Sequence, residues 1–197
     1  MIMKTRIPFL IFTIFLLAGC TKMKIEDFDN TLPQFVLEDY FIGKTKAWGM
    51  FEDRFGRITR QFVVDITGSL EGDELTLRED FIYNDGETET RTWVLKRTSA
   101  TTYEGTTENV IGIAKGTING NAFNWVYDFN LAVGDSIWKV KFDDWMILQP
   151  DGVLLNKATV TRWGFKLGTV YISFSKPVAQ AAVKQQSAPE LSLVTNQ

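Results

Sequence analysis

The chain has 197 residues, of which 45% are hydrophobic and 23% charged, with a formal net charge of −3, one cysteine and no histidine. The missing histidine excludes Ser-His-Asp and Cys-His catalysis and removes the commonest transition-metal ligand. The mildly acidic balance is a poor match for nucleic acid, and a single cysteine leaves no internal disulfide to staple the fold.

In chain order, the first residues carry two cations, Lys4 and Arg6, followed by an apolar run from Ile7 to Leu17 broken only by Pro8 and Thr13. Small residues Ala18 and Gly19 then precede the sole cysteine, Cys20. A positive n-region, a short apolar h-region and a small-residue cleavage site form the layout of a secretory signal. The run is short of the roughly 20 apolar residues that a spanning helix needs. Leu17-Ala18-Gly19-Cys20 looks like a bacterial lipobox, which implies a lipid on Cys20 and cleavage before it. The alternative is an ordinary signal peptide. Acyl chains contribute about 0.8 kcal/mol per buried methylene, so two or three of them anchor a domain durably. The expected division is a lipoprotein signal peptide at 1–19, a lipidated polar tether at 20–32, a β-barrel domain at 33–176 and a disordered tail at 177–197. The tail is rich in Ala, Gln, Ser and Val and has no aromatic residue.

All six tryptophans fall in the central zone, where period-2 alternation recurs between turn residues at about every 8–12 positions. A loop at Glu71-Gly72 would set Ile66 opposite Leu77, Phe62 opposite Phe81 and Glu79 opposite Val64. The next strand, near Arg91 to Leu95, returns after Asn84-Asp85-Gly86-Glu87 and carries Trp93 on the inner row. Inner parity switches near Glu108 to Ile111, which predicts a bulge there. Asn119-Gly120 is a favoured two-residue hairpin pair. Closing there sets Gly116 opposite Phe123, Ala114 opposite Trp125 and Gly112 opposite Tyr127. The clearest strand is Phe123 to Leu131, with Phe123, Trp125, Tyr127, Phe129 and Leu131 on one face. A turn at Gly134-Asp135 sets Leu131 against Trp138, Phe129 against Val140, Tyr127 against Phe142 and Phe123 against Met146. On the opposite face it pairs Asp128 with Lys141. Further strands are expected near Asn156 to Trp163 and Thr169 to Ser175. The whole reads as an all-β, antiparallel, up-and-down lipocalin-like barrel of about 8–10 strands.

Three ionisable residues fall on this apolar inner row: Glu79, Arg91 and Asp144. Arg91 is expected diagonal to Glu79, and Asp144 opposite Trp125. A lone buried charge costs several kcal/mol, so such groups are paired, hydrogen-bonded or beside a wet cavity. One reading is an internal ion pair. The other is a ligand cup lined by Trp93, Trp125 and Tyr127, with Arg91 receiving a carboxylate or phosphate. A third reading, a histidine-free isomerase or hydrolase, would use Glu79 and Asp144. Trp138 and Trp145 lie on opposite parities, so one of them must face outward. Asp53-Arg54-Phe55-Gly56 reads as a hairpin turn. No cofactor or metal is expected, since there is no Gly-rich phosphate loop, no Rossmann fingerprint and no calcium-loop spacing of aspartates.

The string Gly43 to Gly56 resembles the opening of a bacterial lipoprotein family described as domain of unknown function 3833. The likeness continues through Phe81-Ile82-Tyr83, Asp85-Gly86, Arg91 with Trp93, Gly120-Asn121-Ala122 and Phe142 to Met146. It closes with Asn156-Lys157-Ala158, Gly164-Phe165 and Gly168, so it spans about Phe35 to Phe174. The resemblance implies lipid anchoring in Gram-negative bacteria and assigns no activity. Thr21, where an aspartate would signal retention in the inner membrane, implies the outer membrane facing the periplasm. The architecture is similar to lipocalins, although Lys46 stands two positions before Trp48 where their opening motif has glycine. The expected role is a lipid-anchored binder of a fatty acyl or other apolar ligand rather than an enzyme. The alternative is an assembly lipoprotein that meets an envelope protein whose identity the sequence does not specify.

Overall fold

A computed structural model describes residues 22–177. Cys20, the signal segment and residues 178–197 of the expected tail lie outside the described residues.

Alternation along the central zone becomes ten antiparallel strands: β1 (Gly43–Asp53), β2 (Ile58–Glu71), β3 (Glu74–Tyr83), β4 (Thr88–Arg97), β5 (Thr102–Thr106), β6 (Val110–Asn119), β7 (Ala122–Val133), β8 (Ser136–Leu148), β9 (Leu154–Arg162) and β10 (Phe165–Ser175). Each pairs with the next, and β1 closes on β10, giving an up-and-down barrel with no open edge. The lipocalin-like all-β barrel is therefore the fold, at the upper end of the expected strand count. β7 shows why it forms. Its inner residues Phe123, Trp125, Tyr127 and Phe129 are buried while Asn124, Val126 and Asp128 are only partly covered. Each fully buried large apolar side chain contributes about 1.5–3 kcal/mol, so this row alone strongly favours one parity.

The β7–β8 hairpin has the expected register throughout, including Tyr127 with Phe142, Trp125 with Asp144 and Asp128 with Lys141. Two other hairpins are displaced by two residues. The β6–β7 turn is Gly120-Asn121, which sets Gly116 opposite Trp125 and Ile118 opposite Phe123. Gly120 takes φ +54° while Asn121 does not take positive φ, the pattern of a II′ turn with glycine first. The Asn121 amide N–H donates to Thr31 Oγ1, so the preceding chain holds the turn in that form. The β2–β3 turn is Gly72-Asp73, which sets Ile66 opposite Glu79 and Val64 opposite Phe81. Both displacements are even, so every side chain keeps its expected face. Gly112, expected opposite Tyr127, instead lies in a bulge between Ile111 and Lys115 with φ +77°. The inner parity therefore switches a few residues later than expected.

Small residues let the aromatic rows fit. A Cβ on Gly116 would stand 2.5 Å from the Trp125 ring, and one on Gly105 would stand 3.0 Å from its far edge. The indole thus lies flat over β5 and β6, which lets Trp125 reach Trp93 on β4 at 5.7 Å between ring centroids.

Two features were not anticipated. Helix α1 (Leu37–Phe41) plugs one end of the barrel with buried Leu37, Tyr40 and Phe41. Its five residues are too few for a helical period to show in sequence. Arg97 donates to both carboxylate oxygens of Glu38, at 3.1 and 2.7 Å, and Tyr103 adds a third bond at 3.0 Å, which ties the plug to β4 and β5. The second is the segment expected to be a tether. From Lys22 onward it lies against the barrel wall, with a 3-10 turn at Ile25–Phe28, Phe28 against Trp145 and Lys22 paired to Asp143 at 3.0 Å.

Candidate functional site

Inside the barrel, above the α1 plug, is a cavity of about 190 Å³. Its floor is Leu37 and Phe41, and its wall carries Trp93, Trp125, Tyr127 and Phe142. Trp93 meets Tyr127 edge-on at 5.2 Å, and Tyr127 stacks on Phe142 at 5.0 Å. Glu79, Arg91 and Asp144 also line it, so all six expected ligand-binding residues converge on one space.

Their roles divide. Arg91 stands directly opposite Glu79 in the β3–β4 ladder rather than diagonal to it. It donates to Glu89 Oε1 at 2.8 Å, and the Tyr83 hydroxyl donates to the other Glu89 oxygen at 2.8 Å. The guanidinium also lies 5.0 Å from the Phe81 ring and 5.1 Å from the Phe129 ring. It is thus bonded to the Glu89 carboxylate and lies beside two rings, with Glu79 opposite it in the ladder, which is an internal ion-pair arrangement. Glu89 and Tyr83 were not singled out from sequence, although Glu89 shares the row of Arg91 and Trp93. Burial pushes the Glu79 carboxyl up to about 7 even though Arg91 opposes the rise. It holds the Tyr127 hydroxyl well above its usual range as well, with the Asp144 charge adding to the effect.

Asp144 is a different case. It is 7% exposed, and its Oδ1 has no hydrogen-bond partner. Its neighbours across the ladders are Trp125 and Ala158, and the Tyr127 hydroxyl is the polar side chain that favours its charged form by hydrogen bonding. Burial pushes its pKa up to about 8, with the Asp143 charge adding to the rise and Tyr127 and Arg91 opposing it. The adjacent carboxylate, Asp143, points outward to Asn124 and Lys22 and stays below the usual range despite its burial.

Asn156 also lines the cavity, 4% exposed, with both Oδ1 and Nδ2 unpartnered. Sequence reasoning passed over it. The available signal was parity, because Leu154, Asn156, Ala158 and Val160 alternate inward along β9. Among the described residues no group of three or more potential metal ligands is present.

Outside the barrel, Trp48, Met50, Trp145, Leu155 and Tyr171 line an apolar groove that Met23 also borders. Trp145 is therefore the outward member of the Trp138–Trp145 pair, covered by Phe28. Asp53-Arg54-Phe55-Gly56 is a turn, in which Asp53 accepts the Phe55 and Arg57 amides and pairs with the Arg57 side chain.

Fold and interior together define a lipocalin-like β-barrel with a small aromatic cavity. The chain belongs to the family described as "Protein of unknown function (DUF3833)", whose model matches residues 14–176. Among solved structures it is similar to Rv2717c from M. tuberculosis, at 13% identity and TM-score 0.54 over 71% of this chain and 94% of that one. A second similar structure is the S-type phycobiliprotein lyase CPES from Guillardia theta, at 7% identity and TM-score 0.49 over 69% of this chain and 86% of that one. No curated protein matches the chain.

Proposed function

We propose that this protein is a lipid-anchored binding module of the bacterial cell envelope, held by acyl chains on Cys20 at the outer membrane and facing the periplasm. Its barrel takes up an apolar or amphipathic ligand. The observation that carries this reading is the cavity: an aromatic-walled space in which one carboxylate oxygen of Asp144 and both polar atoms of Asn156 find no partner in the protein. Buried polar atoms are nearly always satisfied, and orphans concentrate where a ligand or solvent completes them. Size constrains the ligand. An engineered apolar cavity of about 150 Å³ accepts benzene. The 190 Å³ here suits a small apolar body or one end of an acyl chain, with the remainder outside. Native mass spectrometry after gentle extraction tests the reading. A co-purifying or added small apolar ligand supports it, and a barrel that accepts none overturns it.

The outer groove favours a second reading. Trp48 is 47% and Leu155 46% exposed on a wall bordered by Met23, the second described residue. Such a face suits an envelope partner protein. Photocrosslinking from position 48 in cells should trap one discrete adduct, and a featureless result would remove this reading.

A further inference from the structure

The two unpartnered groups in the cavity belong to one wall. β8 and β9 pair Asp144 with Ala158 and Met146 with Asn156, so Asp144 and Asn156 are diagonal neighbours on the inner face. Diagonal positions stand about 7–8 Å apart at the α carbons, near enough for one small group to contact both side chains. Their cross-strand neighbours are apolar: Trp125 and Ala158 flank Asp144, and Met146 and Ile172 flank Asn156, while the Tyr127 hydroxyl serves one side of Asp144. The two do not bond to each other, since Asp144 Oδ1 and both polar atoms of Asn156 lack partners. Together they offer an amide donor, an amide acceptor and a carboxyl group on a wall that is otherwise mostly apolar, with the Glu79 and Arg91 side chains also lining the space.

Resting on the reading of the cavity as a binding site, we infer that Asp144 and Asn156 form its polar recognition point, and that they select a ligand whose buried end is uncharged and carries both a donor and an acceptor. A primary amide meets this requirement. A carboxylate does not. It carries no donor for the Asn156 amide oxygen, and the one guanidinium lining the space already donates to Glu89 and faces Glu79. A carboxyl group in such surroundings stays protonated around neutral pH, in keeping with the direction of the Asp144 shift. It can then donate to the ligand's oxygen while Asn156 serves the remaining atoms. This also explains why two costly polar groups sit on an apolar row. An unsatisfied buried group destabilises the empty barrel, and a matching ligand removes that penalty.

The test uses full-length protein in lipid nanodiscs, titrated calorimetrically at neutral pH with four probes: hexanamide, hexanoate, hexylamine and toluene. Empty nanodiscs supply the blank. Hexanamide should bind at least about tenfold more tightly than hexanoate or hexylamine, the scale on which hydrogen-bonding sites discriminate. Asn156→Leu should weaken hexanamide about tenfold and leave toluene unchanged. Asp144→Asn, which preserves shape, should also alter hexanamide affinity and not that of toluene, so the conclusion does not depend on one variant folding. Equal loss for toluene and hexanamide in both variants, or a wild-type preference for hexanoate or hexylamine, overturns the inference while the cavity reading stands. Failure of toluene and hexanamide alike to bind overturns both.

Discussion

Replacing Asp144 by asparagine should stabilise the barrel, and by an amount that grows with pH. The wild-type carboxyl titrates near 3.8 when the chain is unfolded and at about 8 inside the barrel, with burial the leading cause. Below about pH 4 both states hold the proton and the titration contributes nothing. As pH rises from there toward 8, the unfolded chain releases its proton while the folded one retains it. Stability therefore falls by about 1.4 kcal/mol per pH unit, and levels off above pH 8. The shift of roughly four units corresponds to a total on the order of 5 kcal/mol, a large part of the roughly 5–15 kcal/mol that typical domains possess. Asparagine carries no such titration. Urea unfolding followed by tryptophan fluorescence at pH 5, 6, 7 and 8 should show wild type and D144N separating by about 1.4 kcal/mol at each of the first two steps and by about 1 kcal/mol at the last. Glu79 slopes the same way in both proteins and cancels in the comparison. Parallel curves across that range would refute the claim that Asp144 is buried without adequate partners.

Arg91→Ala strands Glu79 and Glu89 and should cost about 3–5 kcal/mol in urea unfolding. It should also change the affinities of hexanoate and hexanol by the same factor, because the guanidinium is already engaged; selective loss of hexanoate would restore Arg91 to a head-group role. Gly116→Ala drives a methyl into the Phe123 and Trp125 rings and should destabilise by about 1–3 kcal/mol, with a shifted tryptophan emission; an unchanged midpoint would contradict the close ring approach. Under the lipid-anchor proposal, Cys20→Ser should abolish incorporation of radiolabelled palmitate and release the protein from the membrane fraction, whereas retained label would place the anchor elsewhere.

The sequence alone determined which side chains face inward. A strand alternates faces with period 2 because of local backbone geometry, so the row Phe123, Trp125, Tyr127 and Phe129, and the inward Asp144, were legible from β7 and β8 without any knowledge of the rest of the chain. Turn residues placed the hairpins only to within two residues, since Gly-Asn and Gly-Asp closures compete with Asn-Gly and Glu-Gly at nearly equal local cost. An even slip keeps parity, so the faces survived while the cross-strand partners did not. Three things required the closed tertiary structure: the α1 plug tied through Glu38 to Arg97, the pairing of Arg91 with Glu89 opposite Glu79, and the unpartnered polar atoms that Asp144 and Asn156 present on one wall. Each depends on how strands far apart in sequence meet around the barrel. A pattern of alternating residues records which face a group occupies, but not what stands across from it.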